Sequence, residues 1–387
     1  MTLFEDFQLL FSKQWPAWVG GLLIGVVNVF LFLFYQPFTT LDGVLNWGDS
    51  ILNPLGIVST KALPPLLRSG SVLNLGLLIG AMAAAMLAGQ FAIRVGPKRE
   101  LAKGLIGGVL LGVGAAIVRG CNIGGFFSGT SAFAMNGLAM GLGLAIGAFI
   151  GTRYLVWEME HAGTVTQEAS SPSDSSAAKA SRFNLLQILG WVAVIVIVVA
   201  AIVYARLGYM DRAVILIFGV MIGVISQRSR VCFVRAFREP FLTGDSDHTR
   251  AMLLGLAVSV IGFAIIKTVV LEKTEEFVRD TFWAGSVIGG MIFGFGMILT
   301  GGCGGGTIWR VGEGHVKLWV ALVGYTFAAS LTRDWLIKSG WQQSLGQAVF
   351  LPNVVGWSWA LLIIFAIIIV WYLIAKWNES SHKLAAY

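Results

Sequence analysis

Charge is scarce in this 387-residue chain, because Asp, Glu, Lys and Arg together make up only 12% of it. A soluble domain carries about 25% charged residues, so this chain has too few charges to cover a globular surface in water. Hydrophobic residues instead reach 56%. The composition therefore excludes an ordinary soluble protein and predicts an all-α protein that crosses a lipid bilayer many times.

Cysteine and histidine are also rare, with three and four residues. Three thiols cannot all pair in disulfides, and a thiol that faces the cytoplasm stays reduced. The histidines lie in loops, linker or tail, with only His315 near a cysteine, so zinc or haem ligand sets are missing. The chain also lacks a nucleotide-binding P-loop motif. We therefore expect no metal, no cofactor and no enzymatic activity.

Long apolar runs, by contrast, are abundant. A membrane-spanning helix needs about 20 mostly apolar residues, and the sequence predicts ten such spans. They cover roughly 16–35, 72–93, 104–119, 136–156, 184–205, 213–226, 250–270, 283–300, 316–333 and 353–375.

The net charge of +7 is spread over the short loops between these runs, which argues against a nucleic-acid partner. Lys and Arg are more frequent in the loops on the side of the two termini. By the positive-inside rule, this bias places both the N-terminus and the C-terminus in the cytoplasm.

Two segments of the chain are related by an internal match. Residues 107–125 (GGVLLGVGAAIVRGCNIGG) align without gaps on 289–307 (GGMIFGFGMILTGGCGGGT), with seven of nineteen positions identical, including the cysteine. The match pairs the third predicted span with the eighth, and an odd offset of five spans reverses the direction through the membrane. We therefore expect two inverted-topology repeats, 1–157 and 183–387, joined by a disordered Ser/Ala-rich cytoplasmic linker at 158–182.

Glycine surrounds two of the cysteines, in RGCNIGG (119–125) and GGCGGG (301–306). Such stretches cannot hold long unbroken helices. In hydrocarbon, irregular backbone survives only where it is buried in protein or lines a cavity. We predict that broken or re-entrant short helices meet near the membrane midplane, although tight helix packing through small residues is an alternative. The predicted path-lining residues here are Arg119, Gly120, Asn122, Gly302 and Gly304, beside Cys121 and Cys303.

The third cysteine, Cys232, lies in the arginine-rich segment QRSRVCFVRAFRE (227–239). Its arginines Arg228, Arg230 and Arg235 either anchor the chain at the cytoplasmic face or form a mouth that attracts anions. A further proline-containing segment, 36–71, could hold short re-entrant helices.

These cysteine segments resemble those of the YeeE/YedE family of sulfur-transport membrane proteins, and within it the YedE-like branch. The resemblance rests on SQRSRVCFVRAFREPFLTGD (226–245), IGGMIFGFGMILTGGCGGGTIWRVGEGH (288–315) and GGVLLGVGAAIVRGCNIGGFFSG (107–129). It implies a transporter of the bacterial inner membrane that takes up thiosulfate or a related small sulfur-containing anion. It also implies a cytoplasmic TusA-like sulfur carrier as a partner.

The resemblance further implies a relay of cysteine thiols, which by motif would be Cys121, Cys232 and Cys303. Three alternatives remain open at this point. They are a transporter of a selenium species such as selenite, a thiol-based membrane sulfurtransferase or redox enzyme, and a scaffold that transports nothing.

Overall fold

The computed structural model describes residues 14–161, 176–270 and 277–385. Within these ranges the regular structure is helical, and the only β features are isolated bridges such as Arg94–His315. The all-α prediction is therefore confirmed for the described part of the chain.

The α-helices follow one another with short connections. In chain order they are α1 Ala17–Phe34, α2 Leu41–Leu52, α3 Ser69–Leu87, α4 Lys98–Val118, α5 Ser128–Ser131, α6 Met135–His161, α7 Ser176–Arg206, α8 Met210–Ser229, α9 Phe233–Leu242, α10 Asp247–Ile265, α11 Ala284–Thr300, α12 Gly304–Gly312, α13 Val316–Lys338, α14 Leu351–Val355 and α15 Trp357–Ser381. Two π-helical segments, Asn122–Phe127 and Ile266–Val270, and a 3-10 turn, Trp341–Leu345, complete them.

Each of the ten predicted spans contains a helix, but the described residues hold nine helical stretches that are long and apolar enough to cross a membrane. The exception is α13, which is 23 residues long. Charged residues near both of its ends, such as Lys317 and Arg333, make α13 less apolar than the other long helices. The described part of the chain therefore contains nine candidate membrane spans, one fewer than the sequence predicted.

Two of the predicted segments between spans, 36–71 and 158–182, can be compared with the structure. The segment 36–71 does contain a short helix, α2, which begins in the protein interior. The predicted linker 158–182 overlaps the end of α6 at His161 and the start of α7 at Ser176, and residues 162–175 lie outside the described residues. The linker, the two halves around it and their inverted topology remain predictions.

Glycine positions bring helix backbones into direct contact. A Cβ at Gly21 in α1 would lie 2.0 Å from the Ala251 carbonyl oxygen of α10. A Cβ at Gly108 in α4 would lie 2.2 Å from the Ala321 carbonyl oxygen of α13. Contacts this close require glycine, and they are typical of helices that associate through small residues in a membrane.

The same packing predicts which glycine substitutions destabilise the protein. In Gly147→Ala the new methyl group would lie 2.1 Å from the Met291 carbonyl oxygen, so α6 and α11 must separate. We expect this variant to lose about 1–3 kcal/mol of stability, as overpacked cores do, measured by thermal unfolding in detergent. Gly96→Ala is the matched control, because its nearest neighbour is the Glu100 Cβ at 3.5 Å. Equal melting temperatures for the two variants would contradict the packing argument.

Candidate functional site

The three cysteines share one local geometry. Each begins a new helical segment, because it is the N-cap residue of the segment that follows it. The residue two positions earlier ends the preceding helix with a left-handed backbone, a conformation that is uncommon outside glycine. These residues are Arg119 (φ 58°), Arg230 (φ 55°) and Gly301 (φ 71°). The helix interruptions predicted at Cys121 and Cys303 are therefore present, and the structure adds a third at Cys232.

Two of the thiols take part in capping the helix that they begin. The Cys121 Sγ accepts the Gly124 backbone N–H at 3.3 Å, and the Cys303 Sγ accepts the Gly306 N–H at 3.2 Å. The Cys232 Sγ instead accepts a hydrogen bond from Arg310 Nη2 at 3.6 Å. All three cysteines are free thiols and buried.

The two glycine-flanked interruptions contact each other. A Cβ at Gly304 would lie 2.8 Å from the Cys121 Cβ and 2.9 Å from the Thr40 Oγ1. The Asn122 Oδ1 accepts the Gly304 backbone N–H at 3.2 Å, which bridges the two segments. The Thr40 hydroxyl donates to the Cys121 Sγ at 3.3 Å. The structure thus brings together Cys121, Asn122 and Gly304, as predicted, and adds Thr40.

The other two cysteines border one small cavity. Cys232 and Cys303 both line it, together with Phe38 and Trp309, and its volume is about 20 Å³. That space is close to the roughly 10–15 Å³ needed for one water molecule. The region between these two thiols is therefore nearly closed.

A larger cavity of about 320 Å³ opens on the other side of Cys121. We call it the arginine cavity, because Arg68, Arg119, Arg279 and Arg333 all line it. Thr39 lines it as well, and the Thr39 Oγ1 lies 4.0 Å from the Cys121 Sγ. Its volume falls in the range of small-ligand sites, about 300–1,000 Å³.

Charge in the arginine cavity is only partly balanced. Arg68 pairs with Asp42, Arg119 pairs with Asp280, and Arg333 pairs with Asp49 at 2.7 Å. Among the described residues no acidic side chain forms an ion pair with Arg279.

A bound anion would therefore stabilise the charge of Arg279 more than that of the other three arginines. Burial and the neighbouring Arg119 lower the pKa of Arg279 from its usual value. A guanidinium in such a place is destabilised by desolvation, and a bound anion would offset that cost. The sequence predicted only Arg119 here, since the other three arginines come from loops or helix ends far apart along the chain.

A polar cluster with a buried centre lies at Arg230, two residues before Cys232. We call it the Glu313 cluster, and it consists of Gln90, Gln227, Arg230 and Glu313. The Arg230 guanidinium donates to Glu313 at 2.9 Å and to the Gln90 Oε1 at 2.8 Å. The Gln227 side chain donates to Gln90 at 3.0 Å and to Glu313 at 3.2 Å. The cluster ties the ends of α3, α8 and α12 together.

The other predicted residues have structural surroundings that the sequence did not suggest. Gly120 and Gly302 lie in tight backbone turns, where a Cβ would meet the Gly125 Cα at 2.7 Å or the Thr307 Oγ1 at 2.8 Å. Arg228 is buried, with 1% of its surface exposed, and its carbonyl accepts the Trp15 N–H.

Arg235 lies on α9 and forms an ion pair with Glu239 at 2.8 Å. Neither Arg228 nor Arg235 is among the residues that line the two cavities. Their predicted role in lining a substrate path remains untested.

Comparison with known proteins identifies a family. The model of a family described as "Sulphur transport" matches residues 3–150 and 228–386. The probable transporter YedE of Escherichia coli K12 is 29% identical over 357 residues, which cover 84% of this chain and 85% of that protein.

Two further relatives are named thiosulfate transporter TsuA, and they match over shorter stretches. The Escherichia coli K12 protein is 31% identical over 44% of this chain and 49% of its own length. The protein of Spirochaeta thermophila is 35% identical over 34% of this chain and 39% of its own length.

The Glu313 cluster generates a stability prediction. Glu313 is fully buried, so Glu313→Leu removes the charged acceptor of Arg230 and Gln227 and leaves them only the Gln90 Oε1. We expect a loss of about 2 kcal/mol or more, measured by thermal unfolding in detergent. The double variant Arg230→Met/Glu313→Leu should recover much of this loss, because the uncompensated charge is gone.

The control for the Glu313 variants is Asp247→Asn, which removes an exposed ion pair with Arg250. Exposed pairs contribute about 0–1 kcal/mol. If Glu313→Leu melted no lower than Asp247→Asn, the cluster would not hold the three helix ends together.

Proposed function

This chain belongs to the sulphur transport family of multi-pass membrane proteins, and from that premise we propose that it takes up thiosulfate, or a closely related small sulfur oxyanion, across the bacterial inner membrane. The main support for this proposal is that the arginine cavity and the three thiols follow one another through the protein interior. The arginine cavity adjoins Cys121, Cys121 adjoins the Gly304 segment that begins at Cys303, and Cys303 shares a cavity with Cys232.

The arginine cavity supports an anionic substrate. Its lining is rich in guanidinium groups, which form charge-assisted hydrogen bonds with oxyanions. The relatives named thiosulfate transporter cover less than half of this chain, so their name supports thiosulfate without assigning it. In our proposal this cavity faces the outside and captures the anion.

The thiols support passage by weak, repeated contacts. A thiol is a weak S–H donor, and the terminal sulfur of thiosulfate is a soft acceptor. The anion would pass from Cys121 to Cys303 and then to Cys232, changing one weak hydrogen bond for the next. Conduction needs sites that bind well enough to admit an ion and weakly enough to release it.

The far end of the path supports delivery to the cytoplasm. Beyond Cys232 the Arg310 guanidinium stacks on Trp309 at 5.0 Å, and the Glu313 cluster closes the helix ends. We propose that this end faces inward and that α13 is a tenth crossing, which places both termini in the cytoplasm. A TusA-like carrier then accepts the outer sulfur of thiosulfate there, as its thiolate attacks that sulfur and sulfite leaves. Release requires that the Glu313 cluster open.

Burial of the thiols disfavours a sulfurtransferase. Reactive cysteines are partly exposed and lie in electropositive surroundings. Here the exposed fractions of Cys121, Cys232 and Cys303 are 0%, 2% and 2%. A protein substrate could not reach these sulfur atoms, whereas a small anion inside a pathway could.

The relay predicts the effect of removing each thiol. We expect Cys121→Ala, Cys232→Ala and Cys303→Ala each to lower thiosulfate uptake about tenfold or more. Each variant removes one hydrogen bond to the anion, and a fold-change of this size corresponds to that loss. Uptake is measured in cells that lack other thiosulfate importers and have thiosulfate as sole sulfur source. Membrane abundance is measured alongside.

Thr152→Ala is the control for the cysteine variants, because Thr152 is buried but bonds only to the Ala148 carbonyl of its own helix. Wild-type growth by all three cysteine variants would refute the relay. A wild-type protein that supported no growth would refute thiosulfate as the substrate.

The arginine cavity predicts a charge effect on capture. We expect Arg279→Gln to raise the KM for thiosulfate about fivefold or more, because this variant removes a cation with no described acidic partner. Arg279→Lys should restore part of the affinity, since it keeps the charge but not the planar fork. The measurement is initial uptake against thiosulfate concentration.

An arginine outside the arginine cavity provides the control for Arg279. Arg250 forms ion pairs with Asp247 and Glu379, and Arg250→Gln should leave the KM unchanged. Equal KM values for Arg279→Gln and the wild type would remove the arginine cavity from the capture step.

A further inference from the structure

Two buried hydrogen-bond donors at the centre of the path have no partner among the residues that the structure describes. They are the Tyr325 hydroxyl and the Asn122 side-chain NH₂ group, Nδ2. Both residues are fully buried, with 0% exposure. The sequence signalled Asn122 by its place beside Cys121, but Tyr325 lies in α13, far along the chain from every cysteine segment except that of Cys303.

Both donors lie beside the thiols. The Tyr325 hydroxyl lies within reach of the Thr40 side chain, although the two do not have the geometry of a hydrogen bond, and it interacts electrostatically with Cys121 and Cys303. The Asn122 Oδ1 already accepts the Gly304 N–H. The Nδ2 of the same amide lies within reach of the Cys303 thiol but does not have the geometry of a hydrogen bond to it.

Buried polar groups are almost always hydrogen-bonded, and leaving one unpaired is costly. Two unpaired groups at one place in a protein interior therefore point to a ligand. The amide NH₂ can only donate and the hydroxyl can donate as well, so a ligand that brings acceptors satisfies both. Both are also uncharged, so they would hold an anion less tightly than the arginine cavity does.

We propose that Tyr325 and Asn122 are specificity-determining residues that donate hydrogen bonds to the oxygens of the transported anion. The inference rests on the proposed function and extends it. The terminal sulfur faces Cys121 and Cys303, and the sulfonate oxygens face the tyrosine and the amide. Thr40, which donates to the Cys121 Sγ, lies beside Tyr325 and is available as a third donor.

This division of contacts explains how a pathway lined by thiols selects an oxyanion that carries sulfur. The thiols recognise the soft sulfur end, and the neutral donors recognise the oxygen end. An interior site built to hydrogen-bond particular oxygens rejects a ligand that lacks them, because its buried donors would stay unpaired.

The test is Tyr325→Phe, which removes one oxygen atom and keeps the ring that packs on Phe293. We expect the KM for thiosulfate uptake to rise about three- to tenfold, the effect of one hydrogen bond to an anion. Thiosulfate should also raise the melting temperature of the purified variant less than that of the wild type. Without thiosulfate the variant should melt at the wild-type temperature or higher, because it no longer buries an unpaired hydroxyl.

Tyr154→Phe is the matched control, since Tyr154 lies beside Trp157 at the surface, 38% exposed. It should behave as the wild type in each measurement. A Tyr325→Phe protein with the wild-type KM and the wild-type thiosulfate shift would overturn the inference. A lower melting temperature without thiosulfate would also overturn it, because the hydroxyl would then have a structural partner.

Asn122→Asp tests the second donor. The carboxylate keeps the acceptor for Gly304 but offers no N–H, so we expect a larger loss of uptake than in Tyr325→Phe. Retention of the wild-type KM would exclude Asn122 from the site. If the wild type takes up thiosulfate and both variants match it, only this inference fails; if the wild type takes up none, the proposed function fails and the inference falls with it.

Discussion

A helix that begins inside a membrane protein leaves backbone N–H groups without partners, and hydrocarbon supplies none. This chain meets the constraint with sulfur, because the thiols of Cys121 and Cys303 accept the N–H groups of Gly124 and Gly306. Capping is usually the work of Ser, Thr, Asn or Asp, whose oxygens are stronger acceptors. A capping thiol still has its own S–H to donate. The same atom can therefore hold a helix end in place and remain available to an anion.

The position of these sulfur atoms depends in turn on the glycines around them. Only a residue without a side chain lets the Gly304 backbone lie against Cys121, and that contact brings Gly304 within reach of the Asn122 amide. Elsewhere, glycines such as Gly21 and Gly108 bring whole helices into the same kind of contact. The abundance of glycine and the placement of the cysteines thus serve the same requirement. Both allow backbones to pack closely around interrupted helices.

Hydropathy was enough to predict the helical class and the place of every long helix, because a membrane span must above all be a long run of apolar residues. The glycine-flanked cysteines predicted the interruptions for the same local reason. The predicted span in α13 was the exception, because Lys317 and Arg333 lie near its ends and leave it less apolar than the other long helices. The arginine cavity and Tyr325 could not be predicted, since Arg68, Arg279 and Arg333 meet only after the loops and α13 fold together. The spacing of these residues along the sequence does not indicate that they will be close together in the folded protein.

The side chains along the proposed path are charged at one end, neutral at the centre and charged again at the other end. Four arginines line the cavity beside Cys121, and Arg310 donates to Cys232 at the other end. Between them lie thiols, a tyrosine and an amide. A cation at the centre would hold a dehydrated anion too tightly for release, and an apolar centre would leave its lost hydration uncompensated. Neutral donors avoid both extremes, because each offsets part of the desolvation cost and none binds strongly. In this view the arginines set how often an anion enters, and the neutral centre sets which anion passes.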